Sequence, residues 1–230
     1  MFFENFRFVK ISLEYLEKLY EVDTEVFFDR NSNYENKPHL GILLNNEGME
    51  YVIPLTSAKN KHRKWHNVTD TNYLIYEYIN KKAIRDNDIF VFQNKTKVKR
   101  ILAVLEIKKM IPVKQGLYEE IDIDAIQDVA YKKLLEKEVR FCRSKRQGIL
   151  ERADKIYEEQ MTKKFVKPFH CNFETLEAVC KTYVVEKTRN KISEEVAATL
   201  EHPVILENLD IGLEQQHSSL NQGIENEVEL

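Results

Sequence analysis

Tyr51-Val-Ile-Pro-Leu-Thr-Ser-Ala-Lys-Asn-Lys-His-Arg-Lys-Trp-His66 is the most informative stretch of this chain. Its first three residues are aromatic or β-branched and predict a strand. Pro54 has no N–H to donate and is expected to end the strand pairing. Two hydroxyls, a lysine and a basic run follow: Thr56, Ser57, Lys59, Lys61, His62, Arg63, Lys64, Trp65 and His66. Hydroxyl donors beside clustered cations suit a phosphodiester, so we expect this loop to hold RNA and to cleave it.

The composition is that of a globular chain with a hydrophobic core. Of the 230 residues, 43% are hydrophobic and 32% are charged, and no apolar run approaches the roughly 18 residues of a membrane span. The N-terminal residues lack the basic and apolar segments of a signal peptide. The three cysteines, Cys142, Cys171 and Cys180, show no metal-type CxxC spacing. We therefore expect a soluble protein of the reducing cytoplasm, with no membrane partner.

The net charge of −3 hides an uneven distribution. Residues 191–230 contain nine acids and one base, a net charge of −8. The preceding residues contain 34 bases and 29 acids, a net charge of +5. A mildly basic body suits a nucleic-acid-binding protein. We therefore divide the chain into one domain over 1–190 and an acidic C-terminal extension over 191–230.

Hydrophobic periodicity predicts antiparallel strands with helices inserted between them, an α+β domain. The predicted strands cover residues 6–12, 39–44, 49–53, 73–79, 89–92, 99–106 and 108–113, with a hairpin turn over 45–48. A short helix over 13–21 follows Ser12 as its N-cap, and another over 173–180 follows Asn172. One long helix is predicted over about 125–160, capped by Asp124 or Asp128, with Gly148 as a point where it breaks in two.

Several short motifs follow one another in a fixed order over about residues 6–180. They are Phe8-Val-Lys-Ile-Ser with Tyr15, Tyr34 before Pro38-x-x-Gly41, Tyr51-x-x-Pro54-Leu-Thr-Ser57-x-Lys59, Lys64-Trp65-His66, Lys109-Met-Ile-Pro112, Tyr131-Lys-x-Leu134, Phe141-x-Arg143 and Cys171-Asn-Phe-x-x-Leu176-Glu177. Each motif is weakly specific, but the ordered set resembles the ToxN/AbiQ family. The order Lys37-Pro38 and the acidic extension depart from that pattern.

The resemblance implies an endoribonuclease toxin of a type III toxin–antitoxin system. Such a toxin cleaves mRNA and the precursor of its own antitoxin, and a repeated RNA pseudoknot then inhibits it in a closed assembly of alternating protein and RNA. The implied role is phage defence by abortive infection, or plasmid maintenance, without a cofactor. The implied fold is a compact, highly twisted antiparallel sheet with helices, similar to that of the MazF and Kid toxins.

Metal-independent cleavage of RNA uses the neighbouring 2′-hydroxyl as nucleophile and leaves a 2′,3′-cyclic phosphate. The protein must move two protons and stabilise the charge of the phosphorane. Thr56 and Ser57 are candidate donors to the phosphate, and Lys59 is a candidate cation. Alternatively, the two hydroxyls merely close a turn after Pro54. The resemblance adds Tyr15 and Tyr34 as active-site tyrosines, although Tyr15 alone would be assigned to the apolar face of a helix.

The remaining candidates are predicted to bind RNA rather than to react. They are Lys37, Lys61, His62, Arg63, Lys64, Trp65, His66, Tyr131 and Arg143. His62 and His66 are alternatively the general acid and base, because imidazole titrates near neutrality. Trp65 and Tyr131 are alternatively core residues. No HExxH pattern occurs, so we predict no metal site. A non-catalytic RNA-binding module is the second function that these residues allow.

Overall fold

The computed structural model describes residues 6–29, 38–43 and 50–183. The strands are β1 (Phe8–Ile11), β2 (His39–Leu43), β3 (Glu50–Ser57), β4 (Asn72–Asn80), β5 (Ile89–Phe92), β6 (Lys97–Glu106), β7 (Ile111–Val113) and β8 (Tyr118–Glu120). The helices are α1 (Leu13–Val22), α2 (Val129–Ser144), α3 (Arg146–Lys163) and α4 (Phe173–Thr182). The predicted turn over 45–48, the candidates Tyr34 and Lys37, and the extension over 191–230 lie outside the described residues.

All strand pairs among the described residues are antiparallel, which confirms the predicted α+β fold. The main strand order is β4-β6-β3-β2-β1-β8, with β5 added to β6 and β7 added to β3. Strand β8 did not emerge from the sequence, because its three residues carry little hydrophobic pattern. Within the described residues, none of the helices is both long and apolar enough to traverse a bilayer.

The prediction that Pro54 ends the strand is wrong. Strand β3 continues through Pro54 to Ser57, and its partner changes at that point. As far as Pro54, β3 pairs with β2. From Leu55 onwards it pairs with β6. A proline that lacks an N–H is tolerated where a strand exchanges one neighbour for another, since no continuous ladder is interrupted there. Thr56 and Ser57 are therefore strand residues rather than loop residues.

The predicted long helix is two helices, because the chain turns at Lys145 rather than at Gly148. Asp128 is the N-cap of α2 and its carboxylate accepts from the backbone N–H groups of Ala130 (2.8 Å) and Tyr131 (3.0 Å). Gly148 lies in the first turn of α3, where it allows close packing. A Cβ atom at this position would lie 2.6 Å from the hydroxyl of Tyr73 on β4.

Both predicted caps of the short helices are confirmed. The hydroxyl of Ser12 accepts from the N–H of Tyr15 at 3.5 Å, and the amide oxygen of Asn172 accepts from Thr175 at 3.2 Å. Such side chains satisfy N–H groups that have no partner within the helix. Because these contacts are local, the first residues of both helices could be predicted from the sequence.

A buried carboxylate connects the start of β3 with α3 and α4. The hydroxyls of Tyr51 and Tyr157 both donate to Oε1 of Glu177, at 2.7 Å and 2.8 Å. All three side chains are buried, and burial, followed by the charge of Glu177, raises the pKa of the Tyr51 phenol. Both phenols therefore stay protonated and act as donors. This network fixes one end of β3, whose other end carries Ser57.

Candidate active site

Ser57 is exposed at the end of β3 and borders a cavity of about 670 Å³. One edge of β6 forms the floor of the cavity, and both β3 and β5 pair with that edge. Ser57 of β3 pairs with Ala103, and Ile89 at the start of β5 pairs with Ile101. Leu102 lies between these pairs, at a shift in the β4–β6 register. This shift lies on the β4 side of β6, and on the other side the N–H of Ala58 donates to the carbonyl of Leu102 at 3.4 Å.

The opposite wall of the cavity is the first half of α2. Its lining side chains recur at helical spacing and are Val129, Ala130, Tyr131, Lys133, Leu134 and Lys137. The segment before β5 adds Arg85, Asn87 and Asp88. Of the residues predicted from sequence, the structure thus brings Ser57 and Tyr131 to the same cavity. Burial, followed by the charge of Glu138, raises the pKa of the Tyr131 phenol, which keeps it a hydrogen-bond donor at neutral pH.

An ion-pair network closes one side of the cavity. Arg100 on β6 binds Glu77 and also Asp88, whose Oδ2 lies 3.2 Å from its Nη1, and Lys137 reaches Glu77 at 2.9 Å. Burial alone would raise the pKa of Glu77, but the bonds from Lys137 and Arg100 outweigh it and lower that pKa. Burial would likewise lower the pKa of Arg100, and its two carboxylate partners raise it. These cations are therefore already neutralised by protein.

Two other cations of the cavity differ in this respect. Neither Arg85 nor Lys133 forms a side-chain ion pair with any described residue. Both are exposed. Sequence reasoning missed both residues. Lys133 is two residues from Tyr131, and residues two apart on a helix do not face each other, so helical spacing from Tyr131 would not have indicated Lys133. No sequence pattern marks Arg85. Unpaired cations at a cavity wall are suited to bind an anion such as a phosphate.

Lys59 follows Ser57 by two residues and its side chain is exposed. It precedes a 3₁₀ helix, Asn60–Lys64, so the basic run is helical and the prediction of a loop there is wrong. The N–H of Lys59 donates to Nδ1 of His62 at 3.0 Å. His62 itself is only 2% exposed, and burial, followed by the charges of Lys61 and Lys59, lowers its pKa. The ring of His62 thus lies among protein atoms, and its predicted RNA contact stays a prediction.

The other members of the basic run have mixed positions. Trp65 is half-buried against a core cluster of Leu74, Ile101 and Val104, so packing is its main role. The ammonium of Lys61 lies 5.5 Å from the centroid of the Trp65 ring, and the guanidinium of Arg63 lies 5.4 Å from that of Phe90. Lys64 and His66 are exposed. Lys61, Arg63, Lys64 and His66 remain available for phosphate contact.

Thr56 does not line the cavity. Consecutive residues of a strand point to opposite faces, and the hydroxyl of Thr56 instead lies 3.5 Å from Oε1 of Glu106. The predicted role of Thr56 as a donor to the phosphate stays a prediction. Arg143 is also remote from Ser57: it borders a different cavity with Arg140, and its Nε donates to the carbonyl of Phe6 at 3.3 Å. The structure does not bring Arg143 together with the candidate site.

Tyr15 has a structural position. Its side chain is 0% exposed, its hydroxyl donates to the carbonyl of Pro112 at 2.8 Å, and burial, the largest cause, raises its pKa. Pro112 pairs with Tyr51, and Ser57 lies six residues further along β3, about 20 Å away in an extended strand. Tyr15 does not line the cavity at Ser57, and its predicted catalytic role stays a prediction. The alternative assignment, to the apolar face of α1, is the one that the structure supports.

No three His, Cys, Asp or Glu side chains of residues 6–29, 38–43 and 50–183 lie together in a way that would hold a metal ion. Among these residues, the arrangement that suits RNA is the combination of an exposed hydroxyl, a protonated phenol and unpaired cations around one cavity. Such groups can donate hydrogen bonds to a phosphodiester and neutralise its charge.

Comparisons with known proteins identify the family of this chain. The family model described as "Toxin ToxN, type III toxin-antitoxin system" matches residues 7–181. An Endoribonuclease ToxN of Pectobacterium atrosepticum is 28% identical over 172 residues, which span 74% of this chain and 90% of the relative. The residues that the family model matches thus include β3, the basic run and α2.

Solved structures show the same fold. A toxin described as selectively inhibited by a non-coding RNA pseudoknot superposes with a TM-score of 0.58 at 26% identity, covering 78% of this chain and 98% of the other. AbiQ, a lactococcal anti-phage endoribonuclease of a type III system, gives a TM-score of 0.60 at 19% identity over 78% and 98% of the two chains. The family model and the relatives together define an endoribonuclease toxin of a type III toxin–antitoxin system. The chain belongs to the ToxN family.

Proposed function

We propose that this protein cleaves RNA at the cavity between the end of β3 and the first half of α2. The observation that carries the proposal is the exposed Ser57 at a cavity whose cations Arg85 and Lys133 have no ion-pair partner among the described residues. The reaction is attack of the 2′-hydroxyl on the adjacent phosphorus without a metal ion, which leaves a 2′,3′-cyclic phosphate and a 5′-hydroxyl.

The residues divide this work according to their chemistry. The hydroxyl of Ser57 donates to a non-bridging phosphate oxygen, and the ammonium of Lys59 neutralises the charge that develops there. Tyr131 donates through a phenol that burial keeps protonated. Arg85 and Lys133 bind neighbouring phosphates of the strand. The exposed cations Lys61, Arg63 and Lys64 extend this contact beyond the cavity.

We further propose that the inhibitor is an RNA. A repeated pseudoknot, cut by the toxin from its precursor and then held in a closed protein–RNA assembly, is the partner in this proposal. The support is the family of the chain and a solved neighbour that a non-coding RNA pseudoknot inhibits. Cellular and phage RNA would be the other substrates, in the cytoplasm, with phage defence or plasmid maintenance as the outcome.

The deciding experiment is cleavage of cellular RNA by the purified protein in excess EDTA, with end-group analysis of the products. We expect cleavage with 2′,3′-cyclic phosphate ends. No product in EDTA, together with product after addition of Mg²⁺, would refute the metal-independent reaction. Retention of RNA without product under both conditions would instead support the non-catalytic RNA-binding module.

Ser57→Ala tests the position of the site. One well-placed donor to a developing charge is typically worth about 10²–10³ in rate, so we expect a loss of that order with an unchanged unfolding midpoint. Ser144→Ala is the matched control, because Ser144 is exposed at the end of α2 and donates only to the carbonyl of Phe141. Cleavage by Ser57→Ala at the rate of Ser144→Ala would remove Ser57 from the mechanism.

A further inference from the structure

His62 is the buried member of an otherwise exposed basic run. Its side chain is 2% exposed, while Lys61, Arg63 and Lys64 are exposed on the same 3₁₀ helix. Its ring packs on Trp65, with centroids 4.6 Å apart and an angle of 56° between the rings. The ring is therefore surrounded by protein rather than by solvent.

Two hydrogen bonds join His62 to Lys59, and its carbonyl accepts from the N–H of Trp65 at 3.1 Å. The N–H of Lys59 donates to Nδ1 of His62 at 3.0 Å, and the N–H of His62 donates to the carbonyl of Lys59 at 2.9 Å. Both backbone polar groups of Lys59 are therefore bonded to the same residue. This double contact fixes the extended backbone of Lys59, whose φ is −131° and ψ is 157°.

Fixing this backbone matters because of what a lysine is. Its ammonium is a point charge on a flexible stem of four carbons, so the direction in which the stem leaves the backbone restricts where the charge can reach. A loss of positioning of about 1 Å can reduce the rate of a reaction by about 10²-fold. Lys59 lies two residues after Ser57 in the chain, although it does not itself line the cavity.

We propose that His62 is a positioning residue for RNA cleavage, which holds the backbone of Lys59 so that its ammonium reaches the phosphate bound at Ser57. This inference rests on the role of Lys59 in the proposed function. Only a ring whose Nδ1 carries no proton can accept the bond from Lys59. Burial, followed by the charges of Lys61 and Lys59, lowers the pKa of His62, and this favours the neutral ring that the contact requires.

Two substitutions separate the acceptor of His62 from its packing. His62→Asn keeps an acceptor atom close to the position of Nδ1 but loses the ring. His62→Phe keeps a ring against Trp65 but has no acceptor, so the N–H of Lys59 loses its partner. His62→Leu is a second variant without an acceptor, to be used if the phenylalanine variant does not fold. Lys59→Ala reports the loss of the ammonium itself.

The measurement is the single-turnover rate of RNA cleavage at saturating protein, with RNA affinity and the unfolding midpoint measured on each variant. We expect His62→Phe to cleave about tenfold more slowly or worse with RNA affinity changed less than about twofold, and His62→Asn to keep a rate close to that of the wild type. A rate for His62→Phe equal to wild type, or an equal loss in the asparagine and phenylalanine variants, would overturn the proposal.

The failure of this inference differs from the failure of the proposed function. If Lys59→Ala cleaves normally, the role of Lys59 is refuted and that of His62 falls with it. If Lys59→Ala is inactive and both variants without an acceptor remain active, only the positioning role of His62 is refuted. The double variant Lys59→Ala with His62→Phe should be no slower than Lys59→Ala alone, because His62 acts through Lys59. A further loss in the double variant would contradict the inference.

Discussion

Replacing Glu177 with alanine removes the acceptor that two buried phenols share. Tyr51 and Tyr157 each donate to Oε1 of Glu177, at 2.7 Å and 2.8 Å. A hydrogen bond to a charged group contributes about 1.5–3 kcal/mol to stability, and both phenols lose this bond. Removing the carboxylate also removes the free-energy cost of burying its charge, and this offsets part of the lost stability. Lys181 adds little, because it is exposed and 3.7 Å from Oε2. We expect the free energy of unfolding to fall by about 2–4 kcal/mol.

Urea unfolding followed by circular dichroism measures this loss. With a slope of about 3 kcal/mol per molar urea, the midpoint should move down by roughly 1 M. Glu174→Ala is the matched control on the same helix, since its ion pair with Lys164 is exposed and should contribute less than about 1 kcal/mol. A loss in Glu177→Ala no larger than that of Glu174→Ala would refute the assignment of this network as a structural anchor.

Two further predictions concern charge. Burial raises the pKa of Glu138 to about 8. The folded protein therefore holds this proton more tightly than the unfolded chain, and the contribution of Glu138 to stability falls as the pH rises through that window. Between about pH 5 and pH 8, the free energy of unfolding of Glu138→Gln should therefore fall by on the order of 3 kcal/mol less than that of the wild type. Urea unfolding at several pH values measures both profiles, and parallel profiles would contradict this. Lys133→Ala should weaken RNA binding and reduce its salt dependence by about one phosphate contact, in filter binding at several salt concentrations, whereas Arg143→Ala should change both less. An equal effect of the two would refute the choice of cavity.

The features that the sequence predicted correctly depend on neighbours along the chain. The caps at Ser12 and Asn172 bind N–H groups only three residues away. The strand over Ile89–Phe92 follows from an apolar run with turn residues on both sides. Interactions over such short separations leave a pattern in the sequence itself, and the antiparallel α+β architecture follows from adding these elements together.

The features that the sequence did not predict depend on distant partners. The continuation of β3 past Pro54 requires β6, which begins more than forty residues later. The hydrogen bond from Tyr15 to the carbonyl of Pro112 joins residues that are 97 positions apart, and the burial of His62 accompanies the contacts of its ring with Lys59 and Trp65. A basic run is expected to be solvated throughout, and only the 3₁₀ geometry shows that one of its members turns inward.

The exchange of partners within β3 explains why the candidate site lies where it does. If β3 had ended at Pro54, Ser57 would lie on a loop, without a fixed relation to α2. Because the strand continues onto β6, the backbone of Ser57 is held opposite Ala103. Leu102 lies between the β6 residues that pair with the ends of β3 and β5, and α2 lines the same cavity with Tyr131 and Lys133. Sites built on strands and helices hold their groups more firmly than sites on loops.

The same strand is fixed at its other end by the carboxylate of Glu177. Stability at that end and chemistry at Ser57 are therefore separable, and Glu177→Ala should retain cleavage by folded molecules well below its unfolding midpoint. Loss of cleavage in fully folded Glu177→Ala would show that the two ends of β3 are coupled.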